Sequence, residues 1–211
     1  MKFLHVGCGL NKKDNTTDVF SRDEWEETRL DIDPDETINA DIIASITDMS
    51  MIKDGSYDAV YSAHNIEHLY PYEVPIALKE FQRVLNDSGI AFIRCPDLLT
   101  VAEFITQGKI VEAMYESPGG PVTPIDALYG FRPVLKDHPY MAHKCGFTPE
   151  LLANTLKSEG FGNALSVRFK ANVELFAIAS IQPLANEDLV AQMNDHLQSR
   201  LNNTKLEMKG S

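Results

Sequence analysis

The sequence has few cysteines, no long apolar run and no cluster of basic residues. Its three cysteines, Cys8, Cys95 and Cys145, are spread over 211 residues, so they form neither a disulfide framework nor a CxxC metal pattern. A reducing cytoplasm is therefore the expected compartment. No run of about 18 apolar residues is present, and the N-terminus lacks a charged segment followed by a long apolar one, so we expect neither a membrane span nor a secretory signal.

The shortage of basic residues makes the protein acidic. Lys and Arg number 19 against 31 Asp and Glu, which gives a formal net charge of −12. A surface of this charge repels polyanions. We therefore expect a small-molecule partner, and neither nucleic acid nor a membrane.

The spacing of apolar residues predicts an α/β fold. Strands are predicted at Lys2–Val6, Thr28–Ile32, Ala40–Ile43, Tyr57–Ser62, Ile90–Cys95, Ala164–Lys170 and Val173–Ile181. Helices are predicted over residues 71–85, Leu98–Tyr115 and 149–160, with a weak one at Thr17–Trp25. This alternation indicates a doubly wound, Rossmann-like, three-layer α/β/α sheet, mostly parallel, that closes with a C-terminal antiparallel hairpin.

Two segments depart from this alternation. Residues 98–147 interrupt it with a long irregular stretch after the predicted helix, and such stretches are more often lids or binding loops than spacers. Residues 183–211 form a polar helical tail, following a main domain over 1–182. The tail carries an apolar stripe at Val190, Met193, Leu197 and Leu201. The stripe packs either on the domain or on a second subunit, so a homodimer through the tail or the insertion stays open.

The stretch HVGCGL, residues 5–10, places two glycines directly after the first predicted strand. Ligands of doubly wound sheets bind at the carboxyl ends of the strands, and glycine lets a ligand approach the main chain. Asp31 ends the second strand and can accept hydrogen bonds from ribose hydroxyls. The dinucleotide pattern GxGxxG would need a glycine where Lys12 stands. The sequence thus favours a nucleoside ligand without phosphate.

Five segments together resemble class I S-adenosylmethionine-dependent methyltransferases of the type 11 kind. They are LHVGCG (4–9), LDIDP (30–34), DGSYDAVYSAHNIEHL (54–69), EFQRVLNDSGIAFIRCPDL (80–98) and HKCGFTPELLANTLKSEGF (143–161). The resemblance implies S-adenosylmethionine as cofactor. It implies that the cofactor-binding residues are Val6, Gly7, Gly9, Asp31, Ile32, Ser45, Ile46, Ser62, Ala63 and His64.

Three positions depart from the family pattern. His5 stands where the family often has an acidic residue, and Asn11 stands where it has a third glycine. Ser45 falls where an aspartate usually meets the adenine edge, and Asp48 is a substitute through a small register shift.

The expected reaction is an in-line transfer of a methyl group to an oxygen or nitrogen atom of a small molecule. Holding the nucleophile in line supplies much of the acceleration, and a hydroxyl or acid acceptor also calls for a base or a charge partner. The catalytic candidates are His64, Asp97 and His143. Asp97 could equally cap the following helix, His143 could be structural, and Glu67 is expected to cap a first helical turn.

Neither a metal nor a dinucleotide is expected. His, Cys and carboxylate residues do not occur at ligand spacing in the sequence. Two rival functions are a non-catalytic cofactor-binding or scaffold protein of the same fold and, less favoured, an NAD-dependent oxidoreductase.

Overall fold

A computed structural model describes residues 1–117 and 119–202, together with the backbone of residues 207 and 208. The rest of the predicted tail lies outside the described residues. Within the described part of the chain, no helix is both long and apolar enough to cross a bilayer.

Eight strands form the main sheet and two form a small hairpin. The main-sheet strands are β1 (Lys2–Val6), β2 (Glu26–Asp31), β3 (Ile42–Ile43), β4 (Tyr57–Ala63), β5 (Leu85–Pro96), β8 (Asn163–Phe169), β9 (Glu174–Ser180) and β10 (Glu207–Met208). The hairpin is β6 (Tyr115–Ser117) and β7 (Gly120–Val122).

The order of the main sheet is β10-β8-β9-β5-β4-β1-β2-β3. The neighbouring pairs from β3 to β5 are parallel, whereas β9 runs antiparallel to both β5 and β8. The predicted doubly wound sheet with a terminal antiparallel hairpin is confirmed. Because β9 is reversed, its first residue lies at the edge where the parallel strands end.

Six α-helices flank the sheet in the described residues. They are α1 (Val74–Val84), α2 (Leu98–Thr106), α3 (Pro124–Tyr129), α4 (Pro149–Ser158), α5 (Asn186–His196) and α6 (Gln198–Leu201). Thr148 caps α4 as predicted, since its hydroxyl accepts a hydrogen bond from the Leu151 amide at 3.2 Å.

Two predicted helices are corrected by the structure. The helix expected over Leu98–Tyr115 ends at Thr106, and Gly108 then adopts φ +79°, outside the helical region. The weak helix expected at Thr17–Trp25 does not form: these residues make separate turns. The β1–β2 connection therefore holds only one short 3₁₀ turn, Lys13–Asn15, across its described length.

The tail helix α5 covers the sheet face beside this irregular connection. Its buried side chains Leu189 and Met193, with Leu197 directly after the helix, join a cluster with Phe20 of the connection and Phe92 of β5. Thus α5 shields apolar surface that a helix between β1 and β2 would otherwise cover. The opposite face is covered by α1 and α4.

Candidate active site

The loop after β1 is built on two left-handed glycines. Gly7 has φ +60° and Gly9 has φ +50°, a region that other residues rarely adopt. The Gly9 amide donates a hydrogen bond to Asp31 Oδ2 at 2.8 Å, and the Asp33 amide donates to Asp31 Oδ1 at 3.0 Å. The buried carboxylate of Asp31 thus ties the ends of β1 and β2 together.

Arg29 holds the same loop from below, and the sequence analysis missed it. Its buried guanidinium donates to the carbonyl oxygens of Gly9 at 2.6 Å and Ile38 at 2.6 Å, while Nε donates to that of Asn11 at 3.2 Å. The signal available in the sequence was a charged residue, two positions before Asp31, within the end of a predicted strand. Arg29 fixes a loop that lacks a third glycine and a following helix.

The unusual His5 is explained by the neighbouring strand. Its Nδ1 lies 2.7 Å from Glu27 Oε1, and both side chains are largely buried. Glu27 Oε2 also accepts from the Lys13 amide at 2.9 Å. An acidic group therefore lies next to position 5, supplied by β2 rather than by β1.

The space beside the glycine loop fits the expected cofactor. A Cβ atom on Gly7 would lie 2.5 Å from Asn65 Cγ, whereas one on Gly9 would meet nothing within 4 Å. The apolar side chain of Ile32 is 58% exposed immediately after Asp31. Among the described residues, Ser62 Oγ and Asn65 Nδ2 are buried without a hydrogen-bond partner. An open cradle, an exposed apolar wall and two unused polar groups suit a nucleoside with a polar methionine arm.

The remaining predicted cofactor residues differ in their accessibility. Val6 and Ile46 are buried, while Ala63 is half-buried at the end of β4. The Ser45 hydroxyl lies 2.7 Å from Thr47 Oγ1, so it is already hydrogen-bonded. The side-chain roles proposed for these residues remain predictions.

His64 lies among charged residues at the carboxyl end of β4. Its Nε2 is 2.9 Å from Glu174 Oε1, and its Nδ1 is 3.5 Å from Glu67 Oε1. Burial opposes a charge on the imidazole, but the hydrogen bond to Glu174 and the nearby carboxylate of Glu67 raise the pKa of His64 to about 9. Since the side chain is 39% exposed, its two ion pairs weigh more than desolvation. His64 is therefore a cation at neutral pH.

Glu174 is a second residue that the sequence analysis missed. Burial would raise its pKa, but His64 and Arg94 hold the pKa of Glu174 down to about 2. Its carboxylate also accepts from Arg200 Nη1 at 3.0 Å. This glutamate is the first residue of the reversed strand β9, which is why a residue 110 positions after His64 meets it.

Asp97 is fully buried at the start of α2. It accepts from the Leu99 amide at 3.1 Å and from Arg168 Nε at 2.6 Å, and Thr100 Oγ1 also donates to it. These contacts are those of the helix cap that the sequence left open as an alternative.

His143 borders a cavity of about 260 Å³ between the sheet edge and the insertion. The wall includes Glu67 and the end of β5, and the cover comes from residues 127–129 and 143–147. His143 Nδ1 is 2.7 Å from the Ala127 carbonyl oxygen. Burial lowers the pKa of His143 below its usual range, so the ring is neutral at pH 7.

Glu67 does not have the capping role that we expected. It lies in the 3₁₀ turn Ile66–His68, its side chain is 1% exposed, and neither carboxylate oxygen accepts a hydrogen bond from any described residue. Within the part of the chain that the structure describes, its one ion pair is the 3.5 Å approach of His64. Folding also brings His68 and His143 together, with ring centroids 5.0 Å apart.

The insertion reaches across to the loop after β2. The Tyr140 hydroxyl donates to Asp33 Oδ2, two residues beyond Asp31. This hydrogen bond, followed by desolvation, raises the pKa of Tyr140 to about 12. The insertion thus contacts both the cavity and the edge of the nucleoside cradle.

The family comparison matches residues 4–93 to a methyltransferase domain. A sequence search of curated proteins finds no match. The fold, however, is shared with many solved structures.

Three of these structures illustrate the likeness. A SAM-dependent methyltransferase from Methanosarcina mazei has a TM-score of 0.57 and 16% identity, covering 86% of this chain and 92% of its own. One from Archaeoglobus fulgidus has a TM-score of 0.53 and 17% identity, covering 85% of each chain. The 1,6-didemethyltoxoflavin-N1-methyltransferase of Burkholderia thailandensis, with bound 1,6-didemethyltoxoflavin and S-adenosylhomocysteine, has a TM-score of 0.52 and 14% identity, covering 86% of this chain and 71% of its own.

These findings confirm the predictions of an enzyme and of S-adenosylmethionine as its cofactor. Residues 4–93 match the family model of a methyltransferase domain, and the chain shares its fold with solved S-adenosylmethionine-dependent methyltransferases.

Proposed function

We propose that the enzyme methylates an oxygen or nitrogen atom of a small molecule bound in the cavity beside His143. The observation that carries this proposal is the cavity itself, about 260 Å³ at the end of β5 and covered by the insertion. A covered space of this size suits a small compound better than a polymer. The bound toxoflavin precursor of the Burkholderia enzyme supports a small nitrogen-containing acceptor.

The cofactor side of the site would be formed by the glycine loop and the ends of β2 and β4. Asp31 is placed to meet ribose hydroxyls, since each of its oxygens uses one backbone donor and retains a second lone pair. Ile32 offers an apolar surface for the adenine ring. Ser62 Oγ and Asn65 Nδ2 can bond the polar end of the methionine arm. When bound, the cofactor supplies an activated methyl group on its sulfonium.

His143 is the residue best suited to accept a proton from the acceptor. Its Nδ1–H donates to the Ala127 carbonyl, which leaves Nε2 with a free lone pair, and the ring is neutral. His64 is instead held as a cation by Glu174 and Glu67, so it serves as a charge partner rather than a base. The contacts of Asp97 favour a structural role.

The test is to purify the protein and measure binding and turnover separately. Calorimetry should show binding of S-adenosylmethionine and S-adenosylhomocysteine, and mass spectrometry should detect methylated products from a panel of small phenols, alcohols and amines. His143→Gln should lower kcat/KM by roughly 10²–10⁴-fold while leaving cofactor affinity unchanged. The exposed Glu150→Gln serves as the control. Cofactor binding without any methylated product would favour the scaffold alternative, and the absence of binding would reject the proposal.

A further inference from the structure

We propose that Glu67, His68 and His143 form a binding site for a divalent first-row transition-metal ion, with Zn²⁺ as the probe. Each residue offers one ligand atom, and these atoms all lie within 4.8 Å of one another. The three come from two segments 75 residues apart, which explains why the sequence showed no ligand spacing. Two imidazoles and one carboxylate are a ligand set typical of catalytic zinc and of non-haem iron, and unlike the all-oxygen sets of Mg²⁺ and Ca²⁺.

The hydrogen bonds of both histidines leave the same nitrogen free. His143 Nδ1 lies 2.7 Å from the Ala127 carbonyl oxygen, and His68 Nδ1 lies 3.3 Å from the Ala142 carbonyl oxygen. A carbonyl only accepts, so each Nδ1 carries the proton and each Nε2 has a lone pair. Metal-binding histidines are usually oriented in this way, by donating the other ring N–H to a carbonyl or carboxylate.

The carboxylate of Glu67 provides independent evidence for a ligand. The side chain is 1% exposed, yet both oxygens lack a hydrogen bond among the described residues. A buried carboxylate without such bonds carries a large desolvation cost. The 3.5 Å contact with His64 offsets this cost on Oε1 only. A cation between Glu67 and the two histidines would compensate the remaining charge.

The cluster needs only a small contraction to bind an ion. Zinc holds nitrogen and oxygen ligands at about 2.0–2.2 Å, so ligand atoms around one ion lie roughly 3.4 Å apart. The present separations are at most 4.8 Å, so they exceed this by at most about 1.4 Å, a difference that side-chain rotation can supply.

The site would be open on the cavity side. Glu67 and His143 both line the cavity, as do Cys95 and Cys145. Three protein ligands leave a fourth position for water or for an oxygen, nitrogen or sulfur donor of the methyl acceptor. This last assignment rests on the proposed function, whereas the metal site does not. An acceptor bound in this way would be held at the cavity wall through the lone pair that it donates to the ion. With an ion bound, the Nε2 lone pair of His143 is used as a ligand, so His143 accepts a proton only in the metal-free enzyme.

The metal site can be tested without any methyl acceptor. The protein is stripped with chelator, then titrated with Zn²⁺, and with Co²⁺ to follow its visible absorption. We expect one ion per chain, at low micromolar or tighter affinity, with a Co²⁺ spectrum of four- or five-coordination. Losing a group that merely orients a ligand costs about 10–100-fold in affinity, so Glu67→Gln and His143→Gln should each weaken binding by more than 10-fold.

Two matched variants and a fold control make the result decisive. Glu150→Gln and His138→Gln remove the same residue types outside the cluster and should leave the affinity unchanged. Circular dichroism and thermal melting without metal identify any variant that fails to fold. Absence of one-to-one binding by the unmodified protein would overturn the proposal. So would unchanged affinity in folded Glu67→Gln and His143→Gln, because the ion would then bind elsewhere. Metal binding by a protein that binds no S-adenosylmethionine would reject the proposed function but keep the metal site.

Discussion

Substituting the two glycines of the β1 loop with alanine should separate a folding effect from a binding effect. Both residues have left-handed φ angles, +60° at Gly7 and +50° at Gly9, so alanine meets a similar backbone cost at each. That cost is about 1–2 kcal/mol. The surroundings differ, because a Cβ on Gly7 would lie 2.5 Å from Asn65 Cγ and 2.6 Å from Asn65 Nδ2, whereas a Cβ on Gly9 meets nothing within 4 Å.

The structure therefore predicts unequal losses of stability. Gly9→Ala should lower the free energy of unfolding by the backbone cost alone, about 1–2 kcal/mol. Gly7→Ala must also displace Asn65, and overpacking of this kind typically costs about 1–3 kcal/mol more. In a chain of this size each 1 kcal/mol lowers Tm by about 2–4 °C. Cofactor affinity should fall in both variants, and in Gly9→Ala because the methyl group enters the open cradle.

Urea denaturation and calorimetry with S-adenosylhomocysteine measure the two effects. In a double-mutant cycle, Asn65→Ala removes Cγ and Nδ2 but keeps the Asn65 Cβ, 2.9 Å from the new Cβ, so it should recover part of the Gly7→Ala loss and none of the Gly9→Ala loss. Equal stability of the two single variants would refute the steric argument. Full cofactor affinity in Gly9→Ala would show that the ligand does not lie against this loop.

Three further predictions concern the rest of the site. Asp31→Ala should weaken S-adenosylmethionine binding by roughly 1–3 kcal/mol, because buried ribose hydroxyls lose their acceptor; calorimetry measures this, and unchanged affinity would remove Asp31 from the site. Tyr140→Phe breaks the hydrogen bond to Asp33 and should loosen the insertion by roughly 0.5–1.5 kcal/mol, seen as faster proteolysis within residues 130–142; an unchanged rate would contradict a closing role for this contact. The His64 pKa of about 9 lies above its ordinary value of 6.5, so its stabilisation is complete below pH 6.5 and is lost as pH rises through 9. For this partly exposed group we expect a loss of only about 1 kcal/mol, measured by urea unfolding from pH 6 to 10; Glu174→Gln should flatten the profile, and an equally steep profile in that variant would assign the effect to other groups.

The sequence specified the elements whose pattern is local. The apolar run before Gly7 predicted β1. The apolar stripe of α1 could be predicted because its residues recur at helical spacing, and five of them are buried on one face of the helix. They are Val74, Ala77, Leu78, Phe81 and Val84. The start of α4 was readable because Thr148 and Pro149 satisfy local backbone requirements. Local signals did not predict the end of α2, because apolar residues continue in the sequence beyond Gly108, where the helix has already ended.

The positions of the proposed cofactor residues in the fold could also be predicted, but the residues that support them could not. Gly7, Gly9 and Asp31 lie at strand ends, where topology alone places them together. Arg29 and Asn65 act through contacts that depend on how loops fold back, so their spacing does not reveal these roles; the one local signal was the charge of Arg29 two residues before Asp31. Glu67 was misjudged for the same reason: its position suggested a cap, but the turn buries its carboxylate beside residues from the insertion.

The reversed direction of β9 explains why the sequence did not predict the contacts between Glu174 and His64. In an all-parallel sheet, the start of a strand lies opposite the ligand edge, and a glutamate there would be far from the chemistry. Because β9 runs antiparallel to β5, Pro96 pairs with Glu174, and the carboxylate arrives at the end of β4. There it stabilises the positive charge of His64, whose Nδ1 also lies 3.5 Å from Glu67 Oε1. In the proposed function the neutral His143, which clusters with Glu67 and His68, is the proton acceptor, so the reversed strand supplies its carboxylate to the cationic histidine and not to the proposed base.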